Sequence, residues 1–335
     1  MNHRSSPVVA LARRLAGRAH RSWMLLGLSA VVAAPVVVRG AAGSLTQATA
    51  TASGAALVRG VAERPDDARG LVRAAAVVSG LGAARSEART TGRHLGFDTS
   101  RYPGDAALRR WAETAPYEWV GFYLPAPCHR DASWSGKRET IAGLGFGMAV
   151  VYVGQQTWGR APRPTSAAAR AAAGRVMACN ADLVGSDRGA LEGRDAVART
   201  AAEGFARGTI VFLDIERMER TPAAMRAYYR AWTREVLADG RFVPGVYVHA
   251  HNAARVHDDL VTEYAAAQRA MEPPVWVASG HDFTTDKAPH EVGHWFADVW
   301  QGVLDRVESH GGVRIPIDVN VAAVPSPSAV YAVGE

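Results

Sequence analysis

Eight short apolar runs recur between residues 95 and 322, with helix-like stretches between most of them. The runs fall at 95–99, 119–124, 147–153, 209–217, 243–249, 274–279, 296–301 and 315–322. Valine, isoleucine and aromatic residues dominate them, as suits strands covered on both faces. Helical spacing appears at 105–114, 137–143, 195–206, 222–237 and 258–269. Alternating strands and helices argue for an α/β fold with a parallel sheet. Eight such strands in roughly 240 residues match a (β/α)8, TIM-type barrel in count and size. An open doubly wound sheet would bring a glycine-rich phosphate loop after its first strand. The stretch LGFDTSRYPG at 95–104 is no such loop.

The chain outside this region reads differently. Residues 1–42 hold an arginine-bearing start, the apolar run WMLLGLSAVVAAPVVV at 23–38 and small residues after it. That is the layout of a cleaved signal peptide; an uncleaved membrane anchor is the second reading, and Arg13-Arg14 is weighed as a twin-arginine signal. The working domain is therefore expected to be exported. Residues 43–91 read as an Ala/Gly/Arg-rich linker, 92–325 as the barrel and 326–335 as a tail. The leader carries six arginines and no acid, which equals the whole net charge of +6. Residues 43–335 are thus formally neutral, and the basic balance gives no support to a nucleic-acid partner. Membrane contact is expected only through an uncleaved leader. Two cysteines, Cys128 and Cys179, allow one disulfide in an exported chain, and two separate thiols fit equally.

The stretch TIVFLDIER at 209–217 is the strongest site signal. Strand side chains alternate, so Asp214 and Glu216 project together at the strand's C-terminal end with Ile215 turned away. In a parallel barrel that end faces the mouth where reacting groups gather. Counting strand ends in the same way brings further residues to the mouth. They are Asp98, Tyr123, Tyr152, Gln155, Tyr247, His249, Trp276, Trp300, Gln301, Asp318 and Asn320. Aromatic rings stack on sugar faces, and amide and carboxylate groups bind hydroxyls and acetamides. Four acids at one mouth are hard to explain as structure, because buried unpaired carboxylates are costly.

The motifs GFDTS at 96–100, FLDIE at 212–216, PGVY at 244–247, WVA at 276–278, WQ at 300–301 and IDVN at 317–320 resemble those of family 25 glycoside hydrolases, the muramidase-type lysozymes. The stretch from GFDTSRYPG to YEWVGFYLPAPCHRD resembles more closely a related glycoside-hydrolase-like domain, first catalogued as domain of unknown function 1906. The resemblance spans roughly residues 94–323. It implies a glycosidase acting on peptidoglycan-type amino sugars, without a cofactor or metal. Glu216 would then be the general acid and base, and Asp214 would steady the substrate's acetamido group. Asp98 and Asp318 would position the sugar. A non-catalytic barrel that only binds cell-wall glycan is the alternative.

One further motif competes. His290, Glu291 and His294 form a literal H-E-x-x-H, which marks zinc peptidases when a helix puts both histidines on one face. Gly293 weakens a helix there, and a strand-like run follows at once. Zinc peptidase chemistry is the distant alternative.

Overall fold

The computed structural model describes residues 87–158 and 178–329. The leader at 1–42 and linker residues 43–86 lie outside the described residues. Eight strands close into one barrel in sequential order. They are β1 (His94–Asp98), β2 (Trp119–Tyr123), β3 (Gly147–Val153), β4 (Ile210–Ile215), β5 (Val243–His249), β6 (Val275–Ala278), β7 (Ala297–His310) and β8 (Val313–Ala322). Helices α1 (Asp105–Thr114), α2 (Arg138–Gly143), α3 (Ser186–Ala202), α4 (Ala223–Asp239) and α5 (Ala250–Ala266) follow the first five strands. The expected barrel is present, and among the described residues no α-helix follows its last three strands. Among the described residues no helix is long and apolar enough to cross a membrane.

The last strand departs from simple repetition. β1 to β7 run parallel, whereas β8 pairs antiparallel with both β7 and β1. Gly311 and Gly312, at φ 55° and 81°, make the tight turn between β7 and β8. Two consecutive positive φ values are what a two-residue hairpin turn needs. β7 runs nine residues beyond the expected 296–301, because its outer half is exposed and carries no apolar signal. The hairpin tip seats on α1: Trp111 Nε1 donates to Val313 O at 2.9 Å, and Arg110 Nε donates to Gly311 O at 3.1 Å.

Two helices also begin earlier than their spacing predicts. α3 starts at Ser186 rather than 195, because Gly189 and Gly193 serve packing and do not break the helix. A Cβ on Gly189 would fall 2.0 Å from Tyr228 O, and one on Gly193 would fall 2.8 Å from Trp232 O. The two glycines let α3 press backbone to backbone on α4. α5 starts directly after β5 rather than at 258, with the His249 ring accepting from His251 N at 3.1 Å as its cap.

Both ends of the described chain tie to the barrel's floor. Residues 87–91, grouped with the linker by composition, are helical, and Arg89 Nε bonds Asp298 Oδ1 at 2.9 Å. From the tail, Ser326 and Ser328 accept from Met148 N and Val150 N at 3.1 and 2.7 Å. Ser328 O also accepts from Ile210 N at 2.8 Å, so the tail fills the gap between the starts of β3 and β4.

Cys128 and Cys179, 51 positions apart in sequence, form a disulfide with Cα atoms 4.9 Å apart. The bridge ties the β2–α2 loop to the segment entering α3. Closing a loop of that length removes unfolded-state entropy equivalent to about 4 kcal/mol in the chain-entropy account. The Cys128→Ser/Cys179→Ser variant is expected to lose stability of that order in urea unfolding. An unchanged midpoint would show that the bridge constrains little.

Candidate active site

The barrel interior is plugged by rings. Trp276 meets Trp119 at 5.6 Å and Phe212 at 5.8 Å between centroids, both edge to face. Glycines make the room: a Cβ on Gly96 would strike the Trp119 ring at 2.0 Å, and one on Gly245 would meet Phe212 at 2.7 Å. These rings form a dry floor below the mouth. Above them the inward residues become acidic.

Asp98 ends β1 and is 2% exposed. Tyr123 Oη donates to its Oδ1 at 2.6 Å, while Gln301 Nε2 and Asn320 Nδ2 donate to Oδ2 at 2.9 and 2.8 Å. Gly121 lies beneath it, where a Cβ would come 2.6 Å from Asp98 Cβ. Burial raises the Asp98 pKa, against the three donors, which lower it. Asp318 sits opposite Asp98 in the antiparallel β8–β1 register. It reaches the mouth from mid-strand, since β8 runs the other way, and not from a C-terminal tip. Its Oδ1 accepts from Asp305 N at 2.7 Å. Burial first, then the charge of Asp98, pushes its pKa up to about 8.

Asp214 and Glu216 differ in surroundings. Asp214 is 9% exposed, and its Oδ1 is buried without a hydrogen-bond partner. Burial, followed by the charges of Glu216 and Asp98, raises its pKa well above the carboxylate range. Glu216 stands just past the strand end with its side chain exposed at the rim. The concave wall still strips part of its hydration, which raises its pKa; the Arg217 N–H lowers it and the Asp98 charge raises it. Among the described residues no cation pairs with any of the four acids. Four carboxyl groups that repel one another and lack a counter-charge keep their protons to higher pH than free carboxyl groups do.

The other expected mouth residues divide into groups. Tyr247 Oη donates to Gln301 Oε1 at 2.6 Å, so Tyr123, Tyr247 and Gln301 form one bonded rim around Asp98. Trp276 and Asn320 are inward but sealed, with Trp276 Nε1 donating to Asn320 Oδ1 at 3.2 Å. They hold the floor and Asp98 and lie out of a ligand's reach. His249 is committed to capping α5.

Three expectations are corrected, because the side chains face outward. Tyr152 pairs in register with Leu213, opposite in sense to Asp214, and its Oη donates to Asp195 at 2.9 Å. Trp300 faces outward by the same alternation and meets Phe283 edge to face at 5.1 Å between centroids. Gln155 lies beyond the strand end, where Gly154 passes so close to Tyr228 that a Cβ would sit 2.2 Å from its Oη. The chain turns there, and Gln155 bonds Glu192 and Ala178 O at 2.6 Å each.

Its neighbour Gln156 takes the inner role that sequence reasoning missed. Gln156 Nε2 donates to Asp214 O at 3.0 Å, and its Oε1 accepts from Glu216 N at 3.1 Å. One side chain therefore fixes the backbone that joins the two acids. Asp305, also missed, occupies a bulged position of β7 with φ 53° and lines the mouth beside Asp318. A cavity of about 250 Å³ opens there, walled by Asp98, Tyr123, Asp305 and Asp318. Its signal was hidden in the exposed half of β7.

The H-E-x-x-H segment is a 3-10 turn, Pro289–Val292, closed by Gly293 at φ 94°. His290 Nδ1 pairs with Arg89 O at 3.0 Å and His294 Nε2 with Ala250 O at 3.1 Å. Glu291 accepts from Ala288 N at 2.7 Å. The two rings do not share a face, so the geometry a zinc peptidase requires is not formed.

No curated protein matches the sequence. Similar solved structures include an uncharacterized B. stearothermophilus protein, at 18% identity and TM-score 0.45, covering 68% of this chain and 95% of that one. The Clostridium perfringens spore cortex lytic enzyme SleM is similar at 13% identity and TM-score 0.45, covering 68% and 67%. The Mycobacterium tuberculosis Tat-secreted protein Rv2525c, solved with L-tartrate, is similar at 16% identity and TM-score 0.40, covering 70% and 96%. A family model described as the Rv2525c-like, glycoside hydrolase-like domain matches residues 109–322, and the chain belongs to that family.

Proposed function

We propose that this protein is an exported glycoside hydrolase that cleaves peptidoglycan-type amino-sugar glycans. The observation that carries the reading is the buried, unpartnered Oδ1 of Asp214 next to the exposed carboxyl of Glu216. A buried acceptor without a donor is costly, and a substrate N–H relieves that cost. The 2-acetamido group of an amino sugar carries such an N–H beside the anomeric carbon.

In this mechanism Glu216, whose raised pKa favours the protonated form, gives its proton to the leaving glycosidic oxygen as the C1–O bond breaks. The acetamido oxygen attacks C1 and closes a cyclic oxazolinium ion. Its N–H donates to Asp214, which favours the charged carboxylate, and the Asp214 proton passes to solvent. The negative carboxylate then stabilises the cation. Glu216, now the base, takes a proton from water as that water opens the ring at C1. This is the substrate-assisted variant of retaining hydrolysis. Asp98 and Asp318 keep their protons or share them, and so hold down the negative potential around Asp214.

Reducing ends are expected from N-acetylated peptidoglycan, with a loss of about 10³-fold or more after chemical removal of the acetyl groups. Equal rates on the two substrates would remove the assigned role of Asp214. Binding of both without release of ends would leave a glycan-binding barrel.

A further inference from the structure

Beyond Glu216 the β4–α4 loop carries the chain away from the acidic mouth and into surroundings of the opposite sign. Glu219, Arg220 and Thr221 from that loop face His251, Asn252 and Arg255 at the start of α5 across a cavity of about 340 Å³, with Arg226 of α4 at its edge. Arg226 is occupied by Asp259, its Nη2 at 2.6 Å from Oδ1. Arg220 and Arg255 are exposed and have no ion-pair partner among the described residues. Glu219 contributes the single acid of the lining, and its carbonyl is held by His251 Nε2 at 2.9 Å.

The cavity wall is braced. Asn252, 4% exposed, accepts from Met218 N at 3.1 Å and donates to Thr221 Oγ1 at 3.3 Å, which joins the loop to α5. Both α4 and α5 begin at this end of the barrel, and α4 has no side-chain cap on its first turn. The guanidinium forks of Arg220 and Arg255 and the positive helix ends therefore act on the same space.

Resting on the glycosidase reading, we propose that this cavity is an anion subsite that takes an oxyanionic substituent of the glycan, a carboxylate or a phosphate. The mouth holds four acids and, among the described residues, no cation beside them, so it offers an anion no counter-charge. A glycan that bears a negative group must keep that group out of the mouth, and the arginine-lined cavity begins three residues past Glu216. The juxtaposition selects chains whose anionic group lies a short distance from the bond at Glu216.

The test is calorimetric titration of the full chain and of Arg220→Gln/Arg255→Gln, with both single variants alongside and their folding checked by urea unfolding. The probes are inorganic phosphate and three amino-sugar oligomers: neutral, carboxylate-bearing and phosphate-bearing. The wild type is expected to bind phosphate and to prefer the anionic oligomers by about 10-fold or more, with both effects lost in the double variant. The two anionic arms identify the substituent. Identical phosphate binding and identical preference in wild type and double variant overturn the anion site, whatever the fate of the glycan reading. Arginine-dependent phosphate binding with no oligomer bound keeps the site and overturns the glycan reading instead.

Discussion

Glu216→Gln is expected to slow release of reducing ends from peptidoglycan by about 10²–10⁴-fold while leaving glycan affinity near its wild-type value. The change is close to isosteric and removes only the transferable proton. Glu216 is exposed, and its carboxylate's hydrogen bond is with the Arg217 N–H, which a glutamine oxygen also accepts. The fold has no stake in the charge; removing it relieves the repulsion that raises Asp214 and Asp318. The raised pKa of Glu216 places the loss of its proton above the usual carboxylate range. In the wild type that ionisation sets the alkaline limb of kcat/KM, and the limb should vanish from any activity left in the variant. A variant that keeps the wild-type rate would move the general acid elsewhere, and Asp214 would be the next residue to test.

The strand pattern carried the barrel because every core strand has a dense apolar run with turn residues at its ends. β3 and β5 were legible to the residue, as GMAVVYV and VPGVYVH. What failed to show were elements whose stability comes from packing and not from pattern. α3 contains Gly189 and Gly193, which local propensity reads as breakers, and its helix is justified only by the close approach of α4. The outer half of β7 is exposed and polar, so nothing in 302–310 alternates strongly enough to announce a strand. Its one local sign was the Gly311-Gly312 pair.

Within the site, the acids were legible and their supports were not. Asp98, Asp214 and Glu216 sit at strand ends, where period-two counting is dependable. Carried past the strand, the same counting misassigned Gln155, since the Gly154 turn rotates the chain and hands the inner position to Gln156. Tyr152 and Trp300 face outward, as alternation from Asp214 and Gln301 already requires. Asp318 was legible too, but it lies in the middle of a strand that runs the other way. Its facing of Asp98 depends on the antiparallel β8 register, which no local pattern encodes.

That facing pair leads to the second large effect, on stability. A carboxyl whose pKa is raised by folding keeps a proton that the unfolded chain has released, so stability falls with pH across the interval between the two values. For Asp318 the interval runs from the ordinary value of 3.8 to about 8. Asp98, Asp214 and Glu216 add slopes of the same sign, because each is raised. His129, His249 and His294 act oppositely: burial lowers their pKa values, and their contribution rises with pH until about 6.5 and then stops. Acids lowered by partners, such as Asp259 beside Arg226, lose their contribution only below about pH 4. Between pH 7 and 8 the raised acids therefore act alone, at up to about 1.4 kcal/mol per pH unit for each group still protonated in the fold. Urea unfolding of the wild type should show stability dropping over that window, where most proteins are level. Asp318→Asn cannot ionise, and its Oδ1 still accepts from Asp305 N. Its advantage over wild type should be absent below pH 4 and grow to at most about 5 kcal/mol by pH 8. The gain is smaller to the extent that Asp98 and Asp214 redistribute the shared protons. Asp214→Asn, whose Oδ1 has no donor to lose, should give a gain of the same sign. Parallel pH curves for wild type and Asp318→Asn would mean that the four acids do not compete for charge, and the proton inventory assigned to the mouth would fall with them.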